Sequence, residues 1–123
     1  MGEYLTADML LAMREINELL KENDSKEFVE AANFLLALIN SELSQRPGYN
    51  VDEVERIKKQ IYENFGRKGY LSRSIICVSL LKQAYSLNNP NPKFNEYLTI
   101  VEEKLKTKRE IIRESEGQKR WKK

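Results

Sequence analysis

Residues 31–39 read Ala31-Ala32-Asn33-Phe34-Leu35-Leu36-Ala37-Leu38-Ile39. On a helix these apolar residues cover most of the circumference, which predicts a helix at the centre of a bundle. Only Asn33, Ala37, Asn40 and Ser44 leave a narrow strip of polar or small residues. The run sits in a segment from Ser25 to Gln45, a helical length rather than a strand length. Asp24, with Glu27 three residues on, gives that segment a start resembling a capping box.

Outward from this segment, the same reasoning places four more helices. Ala7 to Glu22 carries Met9, Ala12, Met13, Ile16, Leu19 and Leu20 at three- and four-residue spacing, with Thr6 as the expected N-cap. Asp8, Arg14, Glu15, Glu18 and Glu22 are expected mostly on the opposite, solvated side. Arg46-Pro47-Gly48-Tyr49 is a turn, and Asn50 with Glu53 caps a third helix, Val51 to Phe65, whose stripe is Val51, Val54, Ile57, Ile61 and Phe65. Gly66 is expected to end it, and Gly66 to Leu71 is read as a loop. Ser72 to Leu87 has strand propensity at Ile75-Ile76-Cys77-Val78, but Ile75, Val78, Leu81 and Tyr85 repeat at helical spacing, so helix is the reading. After Asn88-Asn89-Pro90-Asn91, a fifth helix starts at Pro92 with Asn91 as cap. Its stripe is Phe94, Tyr97, Leu98, Val101 and Leu105. The expected architecture is therefore all-α: one domain over residues 1–114, a five-helix, mainly antiparallel bundle around the second helix. A mobile basic tail is expected over residues 115–123.

The 123 residues include no histidine and one cysteine. Histidine is the usual general base near neutral pH, so His-based triads and nearly all zinc sites are excluded. The five glycines form no phosphate-binding motif, and the carboxylates have no calcium-loop spacing. No catalysis, cofactor or metal is expected. The longest apolar run, Phe34 to Ile39, falls far short of a membrane span. The N-terminus has no secretory pattern and a lone cysteine forms no internal disulfide, so a cytoplasmic setting is expected. Cys77 reads as a small core residue.

The charge is polarised along the chain. Residues 1–55 hold 4 basic and 12 acidic side chains, and residues 56–123 hold 17 and 7. This basic half supplies the candidate contacts to nucleic acid or an anionic partner: Arg56, Lys59, Arg67, Lys68, Arg73, Lys108 and Arg109, with Tyr70 and Trp121 placed to stack on bases. The competing reading is that acidic N-terminal helices pack beside the basic ones and neutralise them. A helix-turn-helix over the third and fourth helices is disfavoured. Its connection is too long, and its recognition helix would present Ile75, Ile76, Val78, Leu80 and Leu81 instead of polar readers.

The function expected from these features is a non-catalytic protein-interaction or regulatory protein of adaptor, inhibitor or immunity type, bound to a partner protein or to itself. The alternative is a nucleic-acid binder using the basic surface. Phage-encoded regulators and bacteriocin immunity proteins share this size and helix content, but no motif ties the chain to either.

Overall fold

The structure, a computed structural model, describes residues 2–23, 25–87 and 92–121, with side chains over 5–23, 25–87 and 92–116. It is an all-α bundle of four helices: α1 (Gly2–Glu22), α2 (Lys26–Ser44), α3 (Val51–Ser86) and α4 (Pro92–Trp121). No strand occurs among the described residues, and none of their helices is long and apolar enough to cross a membrane.

The count is four rather than five because the expected loop after Gly66 does not form. Gly66 alone leaves helical geometry, at φ 66 and ψ −154, and the chain resumes as helix at once. Residues eight apart in a straight helix are separated by about 12 Å of axial rise. Here the Tyr62 and Tyr70 rings lie 5.4 Å apart, and a Cβ on Gly69 would come within 2.9 Å of Ile61 Cγ2. The arm before Gly66 and the arm after it are therefore folded against one another. The expected break is in the right place, but it is a one-residue bend.

Pairing across the bundle sets its directions. Asp8 meets Arg73, Arg14 meets Tyr70 and Glu15 meets Arg67, so α1 runs antiparallel to the second arm of α3. Lys68 meets Glu116, Ser72 meets Arg109 and Lys82 meets Glu102, so that arm is antiparallel to α4. On the first arm, Val54 and Ile57 pack with Ala7 in a small cluster of their own.

The second helix is not the central one. It packs against α1 and α4, and among the described residues it has no close approach to α3. The helices form a ring, α1–α2–α4–α3, with α1 and α4 touching across it. Phe28, Ala31, Ala32, Leu35 and Ile39 of α2 are buried, while Asn33, Phe34 and Ala37 face outward. The main core adds Ile16 and Leu19 of α1, Leu71 and Val78 of α3, and Leu98, Val101 and Leu105 of α4.

At the helix ends, the Glu53 N–H donates to Asn50 Oδ1 at 3.0 Å, the cap expected for α3. α1 starts at Gly2, so Thr6 lies inside it and is buried instead of capping it. The caps expected at Asp24 and Asn91 lie outside the described residues. α4 is helical to Trp121, so the segment expected as a tail begins inside it; its mobility stays an expectation.

Candidate interaction surface

Two acidic residues of α1 expected on a solvated side are buried. The Glu15 side chain is 0% exposed and accepts from Arg67 Nε at 3.0 Å and Arg14 Nη1 at 3.2 Å. Asp8 accepts from Arg73 Nε at 3.0 Å. Burial pushes the Asp8 carboxyl above its ordinary value of 3.8, and the Arg73 charge and hydrogen bond pull it back only in part. The folded protein then takes up this proton at higher pH than the unfolded chain does. Asp8 therefore favours folding most below 3.8, and that advantage is lost as pH rises through its raised value. In urea unfolding, wild type should lose stability relative to Asp8→Asn as pH rises from 4 to 7. A gap that moves the other way would show that Arg73 outweighs burial.

The candidate anion contacts are mostly engaged within the chain. Arg67 and Arg73 are held by α1, and Lys108 pairs with Glu22 of α1 at 3.0 Å. Lys68 pairs with Glu116 at 2.6 Å, and Arg109 Nη1 donates to Ser72 Oγ at 3.2 Å. Arg56 pairs with Glu53, and Lys59 lies 3.9 Å from Glu63, both within the first arm of α3. Tyr70 is packed between Tyr62 and the Arg14 guanidinium, 5.1 Å from its ring centre, and burial raises its pKa. The Trp121 side chain lies outside the described residues. The set thus divides among separate places: α1 neutralises Arg67, Arg73 and Lys108, Lys59 shares a cleft with Tyr70, Glu55 and Glu63, and Arg56 pairs with Glu53 on the first arm. Cys77 is buried with its thiol pushed up to about 12 by burial, so at neutral pH it is protonated and a poor nucleophile.

No protein-family model, curated protein or solved structure matches the chain.

The surface feature that sequence reasoning missed lies in the bend of α3. There the two arms and α4 enclose an open groove of about 530 Å³. Ile61, Phe65, Gly69 and Ile76 give it an apolar lining; Lys68 and Arg73 of α3 and Arg113 of α4 supply its cations. No carboxylate lines it among the described residues. Phe65, expected in the core stripe, is 64% exposed, and Ile76 is 43% exposed. Leu80 and Leu87 follow Ile76 four and eleven residues on, at helical spacing, and are also exposed. The face opposite, with Leu71, Ile75, Val78 and Leu81, is buried. The second arm is thus apolar on two faces, and among the described residues the bundle covers one.

Proposed function

We propose that this is a non-catalytic protein-interaction protein, of adaptor, inhibitor or immunity type, that binds a partner protein through the bend groove and the outer face of α3. The observation that carries this reading is the exposed apolar track of Phe65, Ile76, Leu80 and Leu87 in a chain whose charged fraction is 33%. Large apolar side chains left exposed along one helix face are a feature of protein-binding surfaces. The internal pairing of Arg67, Arg73 and Lys108 supports the same reading, because cations already neutralised release fewer counterions from a nucleic acid. A cytoplasmic setting belongs to the proposal and rests on the single buried cysteine.

The test is crosslinking and mass spectrometry on the tagged chain in its native host, beside the double variant Phe65→Glu/Ile76→Glu. The reading expects an identified protein crosslinked near the bend in wild type and absent with the variant. It is overturned if instead the chain shifts duplex DNA or RNA at low salt, that shift is lost on Lys68→Gln/Arg113→Gln, and no protein crosslinks there. That result would establish the nucleic-acid alternative.

A further inference from the structure

The groove and the track meet at Ile76, which lines the one and begins the other, and the chemistry changes from the first to the second. In the second arm of α3, Gly69, Arg73, Ile76, Leu80 and Leu87 share one helix face, since their spacings of four, three, four and seven bring each within about 40° of the first. From Gly69 to Leu87 this face is about 27 Å long, the length of some five helical turns. Its beginning carries three cations, Lys68, Arg73 and Arg113, each ion-paired within the chain, while no carboxylate lines the groove itself among the described residues. The remainder is almost uncharged: between Ser74 and Leu87 the chain has one charged residue, Lys82, which is turned toward Glu102 of α4.

Resting on the protein-interaction reading, we infer that this face receives an acidic amphipathic helix of a partner protein. One end of that helix carries carboxylates over Lys68, Arg73 and Arg113. Its apolar stripe seats a large side chain between Phe65 and Ile76 and continues along Leu80 toward Leu87. The charge complementarity selects the occupant. A second copy of this chain would bring cations onto cations at the groove end if it packed in parallel. A purely apolar helix would gain nothing from the three cations, whose intrachain carboxylates Glu116, Asp8 and Glu110 already answer them.

The cations can be shared with a newcomer at little cost. Lys68 is held by Glu116 and Arg113 by Glu110, and both glutamates are about half exposed. Exposed ion pairs of this kind contribute about 0–1 kcal/mol, so a partner carboxylate can displace either one. Arg73 is different, because its buried partner Asp8 needs it; it contributes field without releasing that contact. Helices laid into grooves are recognised through their own apolar anchors at i, i+3, i+4 and i+7; the receiving face here exposes Ile76, Leu80 and Leu87, at i, i+4 and i+11.

The experiment selects a displayed library of random 18-residue peptides against the full-length chain, then measures enriched peptides by fluorescence anisotropy. The expected enrichment is for sequences with Asp and Glu gathered at one end and large apolar residues at helical spacing. Phe65→Glu/Ile76→Glu should weaken them at least about tenfold. Lys68→Gln/Arg113→Gln should weaken them several-fold, with the difference shrinking in high salt. All four positions are at least partly exposed, so unchanged circular dichroism and urea midpoints are expected to accompany these losses. The inference is overturned if nothing is enriched, if enriched peptides are basic or uncharged, or if the groove substitutions leave binding unchanged. It also falls if light scattering shows a dimer that Phe65→Glu/Ile76→Glu dissociates, or if duplex DNA occupies the same residues. A host protein that crosslinks at the bend through a non-acidic segment would defeat this inference while leaving the protein-interaction reading intact.

Discussion

Replacing Arg67 by Met is expected to lower the free energy of unfolding in urea by about 3 kcal/mol, a large share of a small domain's stability. Glu15 is the reason. Its side chain is fully buried and is held by Arg67 on α3 and by Arg14, whose own side chain is half exposed. Without Arg67 the carboxylate stays in the interior with one solvated partner. Losing one member of a buried pair costs about 3–5 kcal/mol, and the Arg14 contact places this case at the lower end. The pair itself is imperfect, because Arg67 Nη2 is buried with no hydrogen-bond partner. Removing both charges as Glu15→Leu/Arg67→Met should therefore restore stability to within about 1 kcal/mol of wild type, since an apolar pair relieves both desolvation and the orphaned donor. Recovery in the double variant is the decisive measurement. If Arg67→Met alone unfolds at the wild-type midpoint, the pair does not hold α1 to α3. The same argument bears on any nucleic-acid assay: loss of binding on changing Arg67 would report on folding, whereas Lys68 and Arg113 can be changed without disturbing a buried group.

The burial of Asp8 and Glu15 was partly written in the sequence. Asp8, Ala12, Glu15 and Leu19 stand at i, i+4, i+7 and i+11, so the two carboxylates share a face with core residues of α1. Their partners were not legible, because Arg67 and Arg73 lie 52 and 65 residues away and are fixed only by the packing of α3 on α1. The polarity between the acidic and basic halves is therefore in part a device of assembly: the ion pairs from α1 to α3 and from α1 to α4 join one half to the other.

The helical class and most helix positions followed from periodicity, and the Asn50 cap followed from its spacing to Glu53. The arrangement did not. The apolar circumference of residues 31–39 pointed to a central α2, yet Phe34 faces outward, where its ring packs edge-on against Phe94. Hydrophobic content gives the area to be buried, not which neighbour buries it. Phe65 continues the stripe of Ile57 and Ile61 in sequence, but it immediately precedes the bend at Gly66, where the helix axis changes, and the bend leaves it at the surface. The groove arises from that change of direction and has no signature in local spacing.

Gly66→Ala is expected to cost about 1–3 kcal/mol in unfolding free energy, because φ 66 with ψ −154 is a backbone conformation adopted essentially by glycine alone. Space is not the obstacle, since a Cβ there meets nothing within 4 Å. This separates the site from an ordinary helix-ending glycine. At a left-handed cap, Asn replaces Gly with little loss. At this ψ the asparagine side chain gains no such tolerance, so Gly66→Asn should be about as destabilising as Gly66→Ala. Gly69→Ala probes the bend by the opposite route. Its backbone is ordinary, but a Cβ there would lie 2.7 Å from Phe65 Cβ and 2.9 Å from Ile61 Cγ2, so the arms must separate at a cost of about 1–3 kcal/mol. Either substitution should also open the groove, because Ile61, Phe65 and Gly69 line it. A Gly66→Asn protein as stable as wild type would mean that the turn is left-handed and that the two arms are not held in this geometry.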